Sequence, residues 1–111
     1  MKRPLIFICS PYRSDVEANA QKARGYCRFA MRRGGIPFAP HLLFTQFLDD
    51  SIARERDEGM AMGLSMLALC DELWVFGSPT VGMAAEISEA ERLKTPVRRF
   101  NALGGEVTID E

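Results

Sequence analysis

The chain has 111 residues, 47% hydrophobic and 26% charged, with 14 basic and 15 acidic side chains. That length suits a single domain, residues 1–111, built as one sheet and a few helices around one core. The net charge of −1 removes the electrostatic case for polymeric nucleic acid, and no apolar run nears the roughly 20 residues of a membrane span. Cys9, Cys27 and Cys70 are widely spaced, no CxxC occurs, and His41 is the single histidine. A structural zinc site is therefore not expected, and no other metal or organic cofactor is implied. Three reduced, partly buried thiols are the expectation, in a cytoplasmic protein.

Leu5–Cys9 (LIFIC) reads as a buried first strand ended by Ser-Pro, and its apolar run is too short for a signal peptide. Residues 10–14 form the next loop, where doubly wound folds hold phosphate or ribose. The glycine-rich fingerprint is absent, so an ordinary dinucleotide site is not expected. Ser10 and Arg13 offer an anion site, and Tyr12 a stacking face or a bond to a sugar hydroxyl. A plain polar turn is the alternative.

Residues 15–33 read as a helix capped by Ser14 or Asp15, with Glu17 spaced for a capping box. Its apolar face is Val16, Ala20, Ala23, Cys27, Ala30 and Met31. Asn19 lies close to that face, looking into a site or bonding a neighbouring loop. Arg24, Arg28, Arg32 and Arg33 read as a solvated face, and Gly34-Gly35 ends the helix. Residues 36–39 (IPFA) form a second strand that places Pro37 near its start or at a sheet edge. His41 follows, either a proton carrier or a structural residue. Leu42, Leu43, Phe44, Phe47 and Leu48 are too apolar for a free loop and should cover the site or meet another subunit.

After a polar break at 49–51, residues 52–70 give the longest helix pattern. Its charged first half should be exposed or reach a partner, and its apolar second half should be buried. Arg54, Arg56, Asp57 and Glu58 either reach into a neighbouring site or form a solvated end. Gly59 and Gly63 permit close helix packing, and Met60, Met62 and Met66 read as adaptable packing. Residues 73–76 (LWVF) are apolar throughout, as a strand buried on both faces requires. After the break at 77–80, either Ser78 or Thr80 caps the next helix. Met83, Ile87, Ala90 and Leu93 should face the core. Glu86 falls on or beside that stripe, near the helix start, where an exposed anion gains about 0.3–1 kcal/mol. It reads either as a carboxylate serving the helix dipole or as a functional group at the carboxyl end of a strand. Residues 97–100 form another strand, Gly104-Gly105 a turn, and 106–110 (EVTID) an edge strand. The alternation of elements predicts an α/β fold: three-layer, doubly wound, with a mainly parallel sheet of 4–5 strands in a flavodoxin-like, Rossmann-like arrangement.

The stretches CDELWVFG (70–77) and VGMAAEI (81–87), with SPYR, PFAPHLLF and an Arg…Gly…Gly helix before them, resemble the nucleoside 2-deoxyribosyltransferase superfamily, above all its small bacterial and phage members. The resemblance spans nearly the whole chain. It implies cleavage or transfer of the N-glycosidic bond of a deoxynucleoside or its 5′-monophosphate. Glu86 matches the nucleophile of the transferases, and Tyr12 is the second catalytic candidate. Ser10, Arg13, Asn19, His41, Ser78, Gly82 and Met83 complete the expected substrate-binding set, with Ser10 and Arg13 suited to a phosphate. The partners implied are a small-molecule nucleoside or nucleotide and further copies of the chain, as a homo-oligomer, without polymeric nucleic acid or membrane. The chain departs from the transferases in three places. Thr80 stands six residues before Glu86, where they carry Asp; the place of a further acidic residue falls near Gly63; and Phe7 replaces a Tyr that orients the nucleophile. Tyr12, His41 and Asp57 are the candidates to substitute. Two other readings stay open: a nucleotide-binding module without chemistry, and a structural or assembly protein of the same fold.

Overall fold

The computed structural model describes residues 2–101 and 105–107. The elements are β1 (Leu5–Cys9), α1 (Val16–Arg32), β2 (Ile36–Phe38), α2 (Pro40–Leu43), α3 (Ala53–Leu67), β3 (Glu72–Phe76), α4 (Val81–Leu93), β4 (Val97–Phe100) and β5 (Glu106–Val107). The sheet order is β2-β1-β3-β4-β5. The first four strands are parallel, and β5 runs antiparallel to β4 at the edge. This is the expected three-layer, flavodoxin-like α/β arrangement. Gly104 of the expected turn and residues 108–110 of the expected edge strand lie outside the described residues. The two placed residues of β5 are tied to β4 by a bidentate pair, Arg98 Nε and Nη2 donating to the Glu106 carboxylate at 2.8 and 2.7 Å.

The central strands are apolar without alternation because helices cover both faces. Ile6, Ile8, Trp74 and Phe76 point toward α1, where they pack with Tyr26, Ala30 and Phe100. Phe7, Cys9, Leu73 and Val75 point the other way, toward Leu67 of α3 and Met83, Ile87 and Ala90 of α4. β2 is the other edge, which is why Pro37 is tolerated there.

Two sequence expectations change, and one open choice resolves. The buried side of α1 is Asn19, Ala23, Tyr26 and Ala30, while Val16 and Met31 are 47% and 42% exposed. Tyr26 sets this rotation: its ring stacks on Phe76 at 4.1 Å, and an aromatic buries more area than the small residues of the expected stripe. Asp15, not Ser14, caps α1, with its Oδ1 accepting from the Ala18 N–H at 3.3 Å. The apolar second half of α3 is only partly buried. Gly63 and Leu67 are covered, yet Leu69 just beyond the helix is 68% exposed, because the apolar residues there do not fall on one stripe. The basic side chains of α1 are solvated as expected, and Arg33 just beyond it lies 4.4 Å over the Phe29 ring.

α1 ends as the glycine pair requires. Gly34 has φ +88° and Gly35 donates its N–H to the Ala30 carbonyl at 3.0 Å. A Cβ on Gly35 would sit 2.7 Å from Ile6 Cγ1, a fully buried atom of β1, and 3.3 Å from the Ala30 carbonyl oxygen. Gly35→Ala is therefore expected to destabilise the fold by about 1–3 kcal/mol, read as a lower urea midpoint at unchanged slope.

Candidate functional site

The chain leaves β1 for β2 on one side and returns to β3 on the other, so the strand order reverses between β1 and β3. In open α/β sheets the crevice beyond the carboxyl ends of such strands is the ligand site. A cavity of about 510 Å³ lies there. Its walls come from the loop after β1 (Ser10, Tyr12, Arg13), from α2 and the turn after it (Pro40, His41, Phe44), from Leu48 and Asp50, from the first half of α3 (Arg56, Asp57, Met60), and from the start of α4 (Thr80–Met83 and Glu86). The apolar 42–48 stretch thus covers the site in part, although Leu43 and Phe47 turn outward at 50% and 63% exposure.

Thr80 is the residue that aims α4. Its Oγ1 accepts from the Met83 N–H at 3.3 Å, and the Met83 sulfur lies 3.5 Å from the Thr80 N–H. Counting from Val81 at the first helical position, Glu86 falls in the second turn. The carboxylate is thus farther in than the helix start: the unpaired N–H groups there lie a turn away, and the dipole is not what holds it. Burial is. Glu86 is 4% exposed, and removal from water pushes its carboxyl up to about 7, against a smaller opposing pull from the Cys9 thiol. The Cys9 thiol is itself pushed up, first by burial and then by Glu86, and it donates to the Met83 carbonyl at 3.8 Å.

Glu86 Oε1 and Ser10 Oγ are, among the described residues, the buried side-chain polar atoms without a hydrogen-bond partner. Both residues line the cavity. Leaving such an atom unpaired costs about 1–3 kcal/mol, so these two are the buried polar groups of the site whose burial nothing in the protein offsets.

Tyr12 lies flat against His41, with centroids 4.7 Å apart and ring planes at 13°. Burial lowers the His41 imidazole, opposed by Asp50 and by a bond to the Ser10 backbone, so at neutral pH it is mainly uncharged. His41 sits in α2, directly after Pro40 at the helix start. Gly82 and Met83 are on the cavity wall. Three other candidates do different work. Arg13 is not a free cation, since its Nε lies 3.4 Å from Asp50 Oδ2. Asn19 is buried and clamps the loop, its amide donating to the Tyr12 carbonyl at 3.0 Å and to Ser14 Oγ at 3.2 Å. Ser78 is exposed on the turn, outside the cavity wall, and the capping role belongs to Thr80.

Asp50 is a wall residue that the sequence did not single out, and Met60, read as adaptable packing, is another. Asp50 read as part of a polar break, and only the tertiary approach of 49–51 to Arg13 brings it to the site. Asp50, Glu55, Asp57 and Glu86 line the cavity together with Arg13 and Arg56, so the wall is not basic. Asp57, one candidate to replace the missing acidic partners, is exposed at this rim. Phe7 is fully buried against Phe38 and offers the site no hydroxyl. Among the described residues no three His, Cys, Asp or Glu side chains gather as a metal site, and no helix is long and apolar enough to cross a membrane.

No curated protein matches the chain. Among solved structures it is similar to 2-deoxyribosyltransferase from the psychrotolerant bacterium Bacillus psychrosaccharolyticus, with TM-score 0.66 and 19% identity over 96% of this chain and 77% of that one. At that identity the likeness shows the shared fold. The family model described as Domain of unknown function (DUF7768) matches residues 4–100, and the chain belongs to that family.

Proposed function

We propose that the chain breaks the N-glycosidic bond of a deoxynucleoside or its 5′-monophosphate, as a transferase or hydrolase, with Glu86 as nucleophile. One observation carries this reading: a buried carboxyl group, with an unpaired oxygen, on the wall of a cavity at the strand-order reversal. The fold it shares with a 2-deoxyribosyltransferase supports it. A Glu86 oxygen bonds to the anomeric carbon as the bond to the base breaks, and the electron pair leaves with the base, which takes up a proton. Water or a second base then attacks the same carbon and releases the carboxylate. Tyr12, His41 and Asp57, which line the cavity, are the candidates to supply that proton. Ser10 Oγ binds the sugar. The carboxylates around the cavity favour an uncharged sugar end over a 5′-phosphate, because like charges at close range repel. Leu43 and Phe47 give the exposed apolar surface that a homo-oligomer would cover.

A second reading, a nucleotide-binding module without turnover, is favoured by Thr80. Its hydroxyl is spent on capping α4 and replaces a carboxylate of the transferases. The two separate on one experiment. The protein is incubated with a panel of nucleosides and 5′-monophosphates, and free base is measured by chromatography beside binding by calorimetry. Base release supports the enzyme; saturable binding without release supports the module; neither overturns both and leaves an assembly role.

A further inference from the structure

We propose that Asp50 is a specificity-determining residue of the cavity: its carboxylate masks Arg13, so the site takes a nucleoside in preference to the same nucleoside carrying a 5′-phosphate. This rests on the reading of the cavity as a nucleoside site. Among the described residues, Arg13 and Arg56 are the permanently charged cations on the cavity wall. Both converge on one residue. Asp50 Oδ2 lies 3.4 Å from Arg13 Nε, and the Asp50 carbonyl accepts from Arg56 Nη1 at 3.1 Å. Among the described residues no ion pair joins either guanidinium to Glu55, Asp57 or Glu86, the other carboxylates of the wall. The two partners are held from separate elements. Arg13 opens the short turn Arg13–Asp15, which Asn19 steadies by donating to the Tyr12 carbonyl and to Ser14 Oγ. Asp50 belongs to a turn tied to the start of α3: Asp49 donates its N–H to Glu55 Oε1 at 2.9 Å and accepts from the Ser51 N–H at 3.0 Å. At 64% exposure the Arg13 side chain is open to a ligand, and Asp50 is what takes up its charge. A phosphate brought to Arg13 meets a carboxylate already there, and repulsion at close range offsets the pull of the guanidinium. An uncharged sugar hydroxyl meets no such repulsion.

The test compares the native protein, Asp50→Asn, and the double variant that adds Arg13→Gln to it. Asp50→Asn keeps the size of the side chain and the main-chain bond to Arg56, so it alters the charge beside Arg13 alone. Inorganic phosphate is titrated by NMR at the backbone amides of residues 10–14. The common 2′-deoxynucleosides, each beside its 5′-monophosphate, are titrated by calorimetry. In Asp50→Asn, phosphate is expected to bind at least about tenfold tighter than in the native protein, and affinity for a monophosphate to rise about tenfold more than that for its nucleoside. The double variant is expected to lose both gains. In turnover, kcat/KM for the monophosphate over the nucleoside should rise by the same factor in Asp50→Asn. Equal phosphate affinity in the native protein and Asp50→Asn, or a gain that survives in the double variant, would overturn the proposal. Asp50→Ser replaces Asp50→Asn if the latter does not fold. The phosphate titration needs no nucleoside. A gain there with no nucleoside bound leaves the masking of Arg13 standing and sinks the functional reading, while cleavage of nucleosides with no gain sinks the assignment of Asp50 alone.

Discussion

Glu86→Gln is expected to abolish base release, lowering kcat by at least about 10³-fold while nucleoside binding changes by no more than a few-fold. Gln keeps the size and one carbonyl oxygen of the side chain but is too poor a nucleophile to form the glycosyl ester. The buried position makes the loss large: Glu86 is shielded from water, and among the described residues no other carboxylate is equally buried to take over. Asp57 is exposed at the rim, and Thr80 is occupied in capping. Stopped assays of base release on both proteins, with calorimetric binding of the same nucleoside, separate the two effects. Weaker binding with unchanged turnover at saturation would make Glu86 a contact residue only.

The same substitution is expected to stabilise the protein above neutrality. In the fold the Glu86 carboxyl titrates at about 7, against 4.5 when exposed. Between these values the folded chain holds a proton that the unfolded chain has released. Unfolding free energy therefore falls as pH rises through this window. The stabilising difference is fully present below about pH 4.5 and is lost as pH passes about 7, by which point charging the buried group has cost on the order of 3 kcal/mol. Glu86→Gln removes that dependence, so urea unfolding should show the variant gaining on the native protein steadily from pH 4.5 to 8. Parallel pH profiles would mean that the carboxyl group is solvated. A protein less stable with its own carboxylate than without it is the pattern expected where a site residue is kept for chemistry rather than for the fold.

Much of this architecture was legible in the chain. LIFIC and LWVF are uniformly apolar because the sheet is covered on both faces, and the alternation with helical segments dictated a parallel order. Glu86 stood out for the same reason: it interrupts the stripe of Met83, Ile87 and Ala90. Other features depended on three-dimensional approach. The buried side of α1 turns on the stacking of Tyr26 against Phe76, a pairing of distant residues that small-residue periodicity does not reveal. Arg13 read as part of an anion site, and nothing in the sequence shows that Asp50, 37 positions away, comes within 3.4 Å of its Nε. Asn19 left two readings open by spacing, into the site or onto a neighbouring loop, and its amide takes the second. Short polar side chains bond whichever backbone is nearest, and sequence does not fix which that is.

The most direct measurement is mass spectrometry of protein quenched in acid during turnover of a deoxynucleoside that it cleaves. The expected result is a deoxyribosyl group on the peptide carrying Glu86, absent from Glu86→Gln. Base released at an undiminished rate by that variant, or sugar attached to another side chain, would contradict Glu86 as the nucleophile.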